Sequence, residues 1–321
     1  MDLILGGTSL FGKYLAPRLI SMGKEVITTK KPGQITDIDR SLEKFTGSQN
    51  GIRWTELDIM DRSSIEAVLN HFRPDIIYFF IGQNSVGHAW KNPGETVDIN
   101  VIGALNLFDA IRSLPNYKPI VLMTGSGEEY GRNDFSMMPI SEEIQPKPNN
   151  IFAATKVEQA LLSGIYHRAY DLKVITVRTF NEIGPGMSDR FSVSNFCKQF
   201  AKCKEKVVKL HVGNTNIERD YTDIRDLTDA FIKLSRFGKA GEIYNAGRGQ
   251  AIKISGVIDI LQEISGKRVE YSVDLSRIRP IDTPKLESDN TKIRTDTGWE
   301  AKICLRQTVQ DIYEYWTDKL Q

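Results

Sequence analysis

The opening thirty residues restrict the fold more than any other feature of this 321-residue chain. An apolar run at 3–5 leads into Gly6-Gly7-Thr8-Ser9-Leu10-Phe11-Gly12, helical spacing follows over 10–22, and a second apolar run occupies 25–29. Strand, glycine turn, helix and strand make one βαβ unit. The rhythm continues with strands expected over 52–57, 76–81, 120–124 and 173–177, and helices over 63–72, 97–114 and 152–170. Near-continuous apolar strands alternating with helices predict an α/β fold, a doubly wound parallel sheet covered on both faces.

Beyond Arg178 the loops lengthen, a Gly184-Pro185-Gly186 turn precedes a helix over 193–204, and short elements intermix. We expect a smaller, discontinuous C-terminal substrate domain of about 179–217 and 249–299. Residues 1–178, about 218–248 and 300–321 then form the nucleotide-binding domain. A formal net charge of +1 argues against nucleic acid or a membrane surface as partner. The amino terminus lacks the pattern of a signal peptide, and no apolar run reaches spanning length. Cys197, Cys203 and Cys304 are odd in number and lack metal-ligand spacing, so reduced thiols in the cytoplasm and no metal are expected.

The glycine turn stands where a Rossmann dinucleotide loop must stand, between the first strand and its helix. Glycines let backbone amides at the helix N-terminus approach a pyrophosphate. Gly6, Thr8, Ser9, Leu10, Phe11 and Gly12 are the candidate cofactor residues, and the turn resembles a G-x-x-G-x-x-G loop with Ser9 in place of the middle glycine. Enzymes that use NAD place an acid after strand two to hold the ribose. Here the chain reads Thr28-Thr29-Lys30-Lys31. A missing carboxylate and two cations favour NADP, with NAD the alternative, although a solvated lysine pair is an ordinary strand end.

Further motifs follow in order. They are Leu57-Asp58-Ile59-Met60-Asp61, Phe80-Ile81-Gly82-Gln83, Asn100-Val101-Ile102-Gly103, and Thr-Gly-Ser-Gly-Glu-Glu-Tyr-Gly over 124–131. Asn-Asn-Ile-Phe-Ala-Ala-Thr-Lys then occupies 149–156, Arg-Thr-Phe-Asn-Glu-Ile-Gly-Pro-Gly occupies 178–186, and Arg-Asp-Tyr-Thr-Asp-Ile-Arg-Asp occupies 219–226. Arg279-Pro280 and Thr297-Gly298-Trp299 complete the series. Spread over nearly the whole chain, the set resembles the extended short-chain dehydrogenase/reductases of the epimerase/dehydratase class. Within that class it is most similar to the branch of GDP-4-keto-6-deoxy-mannose reductases and GDP-mannose 4,6-dehydratases.

The resemblance implies a nucleotide-sugar oxidoreductase that reduces a GDP-4-keto-6-deoxy-hexose with NAD(P)H. A 4,6-dehydratase or 4-epimerase is the alternative, and a non-catalytic nucleotide-binding relative a further one. It implies cofactor contacts at Lys30, Asp58, Ile59, Ile81, Gln83, Asn100 and Lys156, although Asp61 could equally cap a helix. Catalytic roles fall to Ser126, Glu128, position 152 and Lys156. Substrate contacts fall to Ser126, Asn181, Arg219 and Arg279, the arginines as the diphosphate grip. A homodimer is implied, with helices at about 94–114 and 152–170 pairing into a four-helix bundle.

One departure matters. The family's Tyr-x-x-x-Lys reads Phe152-Ala-Ala-Thr-Lys156 here, and a phenyl ring has no proton to give. Three accounts fit this residue: a deliberate replacement of tyrosine, another donor such as Glu128 or water, or a chain that binds without turnover.

Overall fold

The computed structural model describes residues 1–36, 39–274 and 281–320. The N-terminal half runs β1 (Asp2–Leu5), α1 (Leu10–Ser21), β2 (Val26–Lys30), α2 (Arg40–Thr46), β3 (Arg53–Glu56), α3 (Arg62–Phe72) and β4 (Ile76–Phe79). It continues through α4 (Val86–Lys91), α5 (Pro93–Val97), a π turn (Asp98–Ile102), α6 (Gly103–Ser113), β5 (Ile120–Ser126), α7 (Ile151–Tyr170) and β6 (Lys173–Thr179). Then come β7 (Glu182–Ile183), α8 (Ser192–Lys202), β8 (Val207–Val212), β9 (Glu218–Asp220), β10 (Thr222–Asp223), α9 (Ile224–Phe237) and β11 (Ile243–Ala246). The chain closes with β12 (Ala251–Lys253), α10 (Ile254–Ser265), β13 (Arg268–Val273), β14 (Lys285–Leu286), α11 (Thr291–Thr297) and α12 (Leu305–Leu320).

Seven parallel strands form the central sheet in the order β11-β6-β5-β4-β1-β2-β3. The order reverses between β1 and β4, the switch point at which sheets of this kind bind ligands. Period-two alternation sends neighbouring side chains into opposite cores. Ile4, Tyr78 and Leu122 enter one core with α1 and α9, whereas Leu3, Leu5, Ile77, Phe79, Val121 and Met123 enter the other with α3 and α6. Both sets are buried, which is why these strands read as unbroken apolar runs.

The helix expected from residue 97 starts earlier, at Pro93, and its course contains the π turn. A π turn leaves a carbonyl without its usual partner along the helix. Gln159 of α7 supplies one, its Nε2 donating to the Asn100 carbonyl at 2.6 Å. Hydrophobic spacing carries no trace of such an insertion. Helices α2 and α4, one or two turns each, also escaped the periodicity reading.

In the C-terminal half, β8 pairs in parallel with β13, and β9 lies between β12 and β14. The pair β7–β10 is two residues long and parallel, and it seats Glu182 immediately beyond the end of β6. α12 packs chiefly on α8, where the Trp316 indole N–H donates to Ser194 Oγ at 2.9 Å.

Candidate active site

The glycine turn is folded back onto β2 through its own backbone. Gly6 N–H donates to Thr29 Oγ1 and Gly7 N–H to the Thr29 carbonyl, each at 3.0 Å. Gly6 adopts φ +94°, open to glycine alone at low cost, and a Cβ there would lie 3.0 Å from the Phe80–Ile81 backbone. A Cβ on Gly12 would stand 2.6 Å from the Gly6 carbonyl oxygen and from Gly7. The turn and the first turn of α1 therefore touch backbone to backbone. Ser9 is the N-cap of α1, its Oγ accepting from Gly12 N–H at 3.1 Å. The serine thus stabilises the helix start and keeps its own hydroxyl hydrogen for a ligand.

A cavity of about 380 Å³ opens above this turn. Gly6, Thr8, Ser9 and Leu10 line it, with Lys30, Ile59 and Ile81. Lys13 and Lys31 line it too, and Lys13 had not been singled out from the sequence. Burial pulls the Lys13 ammonium below the usual lysine range, against the opposing pull of Asp39. Lys30 Nζ sits 3.5 Å from Glu56 and donates to the Gln34 carbonyl. Six candidates do not line it: Phe11, Gly12, Asp58, Gln83, Asn100 and Lys156. Phe11 stacks on Phe80 with ring centroids 4.8 Å apart, and Gly12 is packed under the turn. Asp58 accepts from Met60 N–H at 3.0 Å, and Gln83 is bonded to Ser85 and Thr96. Asp61 does cap α3, accepting from Ser63 N–H at 2.9 Å.

Asn100 is fully buried and holds the loop after β4. Its Oδ1 accepts from Gln83 N–H at 2.8 Å, and its Nδ2 donates to the Gln83 carbonyl and to Thr155 Oγ1. It positions the cavity wall and α7 together.

A second cavity, about 520 Å³, adjoins the first. Ser126, Glu128, Phe152 and Asn181 line it, as does Trp90. Ser126 Oγ accepts from Glu128 N–H at 3.2 Å and caps the short 3-10 turn that follows β5. Glu129 completes the capping box, accepting from Ser126 N–H at 2.8 Å. The same carboxylate meets Arg178 Nε at 2.7 Å, with both side chains almost wholly buried. Sequence reading overlooked Glu129, because nothing in a Glu-Glu pair tells which member turns inward.

Lys156 is 5% exposed, and its Nζ donates to the Thr124 carbonyl at 2.8 Å. A Cβ on Gly82, which lines the first cavity, would lie 3.7 Å from that Nζ, so the ammonium reaches the cofactor wall. Burial lowers its pKa to about 8, partly opposed by Glu129 and Glu182. Phe152 packs with Val86, Ala89, Trp90 and Ile151, and its ring centroid lies 6.0 Å from Lys156 Nζ.

Arg219 does not itself line the second cavity but stands directly behind Glu128 and Asp282, which do. Its guanidinium donates to Asp282 at 2.8 Å and to the Thr283 and Glu218 carbonyls, with Glu128 3.9 Å away. Acids in the 219–226 run pin distant backbone. Asp220 accepts from Ser288, Arg248 and Gly249 N–H groups, and Asp226 accepts from Lys302 and Ile303 N–H groups. Arg279 lies outside the described residues. A different cation, Arg190, lines both cavities, and the sequence pattern carried no signal for it. Among the described residues, no cluster of His, Cys, Asp or Glu is arranged to hold a metal, and no helix is long and apolar enough to cross a membrane.

Residues 3–312 match the family model described as GDP-mannose 4,6 dehydratase. The chain is 30% identical to the GDP-6-deoxy-D-mannose reductase of Pseudomonas aeruginosa over 250 residues, covering 77% of this chain and 82% of that one. It is 24% identical to the UDP-glucose 4-epimerase of Mycolicibacterium smegmatis over 324 residues, covering 99% of each. Among solved structures, RMD from Pseudomonas aeruginosa complexed with NADPH matches with a TM-score of 0.84 and 25% identity over 99% of both chains. The UDP-glucose 4-epimerase of Thermotoga maritima, with UDP-glucose, shares the fold with a TM-score of 0.89 at 23% identity over 100% of both. With its glycine turn at the switch point and its buried lysine beside it, the chain belongs to the GDP-mannose 4,6 dehydratase family of extended short-chain dehydrogenase/reductases.

Proposed function

We propose that this protein reduces a 4-keto nucleotide sugar, GDP-linked, with NADPH. One observation carries the reading: Lys156 Nζ lies 3.7 Å from the Cβ position of Gly82 in the wall of the dinucleotide cavity, and Phe152, one helical turn earlier, lines the adjoining cavity with Ser126, Glu128 and Asn181. The residues fit a nicotinamide dinucleotide, since Gly6, Thr8, Ser9 and Leu10 line the cavity at the start of α1, and a Cβ at Gly6 or Gly12 would push that turn off the backbone it rests on. When bound, the reduced cofactor supplies the electron pair and hydrogen for carbonyl reduction. Lys30 and Lys31, with no acid at the end of β2, suit a 2′-phosphate better than a bare ribose.

Ser126 accepts from Glu128 N–H and keeps its hydroxyl hydrogen for a sugar oxygen. Lys156 contributes positive charge close to the cofactor. Arg190 and Asn181 face the larger cavity, where a diphosphate and sugar would lie, and the fork of a guanidinium suits phosphate oxygens. Glu128 beside Ser126 favours a second reading, a 4,6-dehydratase, which also needs an acid–base group there.

Exposed Val97, Ile102, Leu161, Ile165 and Tyr170 lie on the two helical segments expected to pair, which supports a four-helix homodimer. A monomer by light scattering would remove that part. The thiols of Cys197, Cys203 and Cys304 are unpaired, in keeping with a reducing, cytoplasmic setting.

NADPH consumption with GDP-4-keto-6-deoxy-mannose tests the function. Turnover is expected from the unaltered chain and from Phe152→Tyr, with NADPH preferred over NADH. Binding of cofactor and nucleotide sugar without turnover in either form would defeat the reductase reading.

A further inference from the structure

Phe152 leaves the site without its expected proton donor, and the two cavities point to a replacement. Five residues line both of them: Asn84, Glu182, Met187, Arg190 and Phe191. Glu182 is the acid among these. It occupies the two-residue strand β7, whose backbone pairing with Thr222 and Asp223 holds it at the junction. Its carboxyl shares an electrostatic field with Lys156, the residue that completes the family's catalytic pair.

The neighbouring charges are accounted for. Asp223 on the paired strand is turned to Arg225 and Thr308. Glu128 and Arg190 line the same larger cavity, and Glu129 acts on Lys156 from β5's 3-10 turn. Glu182 retains partial surface exposure through the cavities, yet protein displaces most of the water around it. That burial pushes its carboxyl above the usual range, with Lys156 and its own backbone amide opposing the shift. A carboxyl that holds its proton more tightly than a free glutamate is better suited to act as a general acid.

We propose that Glu182 is a catalytic acid–base residue of this chain, supplying to the sugar carbonyl oxygen the proton that Phe152 lacks. The inference rests on the reductase reading above. In the step, the carbonyl carbon receives hydrogen and an electron pair from the reduced nicotinamide, which ends oxidised. The C=O π pair moves to oxygen, the Glu182 O–H bond breaks, and its proton completes the alcohol. Solvent reprotonates the carboxylate through the open cavity.

Three measurements on the full chain decide it. Glu182→Gln should lower turnover about 10²–10⁴-fold, and adding Phe152→Tyr to that variant should restore at least about tenfold. Carboxyl NMR of the unliganded protein should show Glu182 ionising above the ordinary glutamate range. Lysine NMR should show the Lys156 pKa falling in Glu182→Gln, because a favourable charge is lost. Turnover within about threefold of the unaltered chain in Glu182→Gln, or a Glu182 carboxyl that titrates in the ordinary range, overturns the proposal. Failure of the underlying reading looks different, since the unaltered chain would then neither quench on NADPH addition nor consume it.

Discussion

The two ends of the site are built from different materials. At the cofactor end the surface is mostly backbone: Gly6, Gly7 and Gly12 press against one another, and Ser9 caps the helix that faces the ligand. At the substrate end it is side chains held by partners far away in sequence. Glu129 bridges to Arg178, Arg219 to Asp282, and Lys156 is placed by Thr124 and the Asn100 network. The first end depends on what is absent, a Cβ, and the second on pairs whose members were brought together by the fold. A change of one side chain can therefore alter the substrate end while leaving the cofactor cradle as it is.

That contrast can be broken most sharply at the buried pair. Glu129→Gln leaves Arg178 charged and unpaired inside the protein, and should cost about 3–5 kcal/mol of stability by denaturant unfolding. A loss under about 1 kcal/mol would mean the pair does not hold the substrate end together. At the cofactor end, Gly12→Ala should raise the NADPH Kd roughly 100-fold, because overpacking of this kind costs about 1–3 kcal/mol. Unchanged cofactor affinity by fluorescence titration would show that backbone contact is not what shapes the cradle.

Lys156 sharpens the comparison through pH. Its folded pKa of about 8 lies below the unfolded value of 10.5, so the folded state binds fewer protons between those limits. Stability from this group therefore rises as pH climbs from 8 to 10.5, and below 8 the buried charge imposes its full cost. Lys156→Met should stabilise the unliganded protein by about 1–3 kcal/mol at neutral pH, the gain fading toward pH 10.5. Unfolding curves that keep the same difference across this range would show that Lys156 is not strained by burial. Turnover should also fall above pH 8 as the ammonium deprotonates.

Legibility followed the same division. The βαβ rhythm predicted the parallel sheet, because strands buried on both faces must be apolar throughout. The glycine turn was legible, since only glycine permits φ +94° at Gly6 and backbone contact at Gly12. The π turn around Asn100 was not, because one inserted residue barely disturbs an apolar stripe whose extra carbonyl is satisfied by Gln159, 59 positions on. Arg219 looked like a phosphate ligand in its motif, yet its direction depends on Asp282 and Thr283, which lie in another strand–loop segment.

By itself the amino-acid sequence determined the layer order, the position of the dinucleotide turn and the presence of a lysine without its tyrosine. Those properties are local, set by periodicity and by steric limits within a few residues. Tertiary structure alone decided which member of Glu128-Glu129 turns inward, that Arg190 rather than Arg219 lines the cavities, and that Glu182 stands where they meet. Charge and burial are properties of neighbours in space, and the chain's order does not specify those neighbours until it has folded.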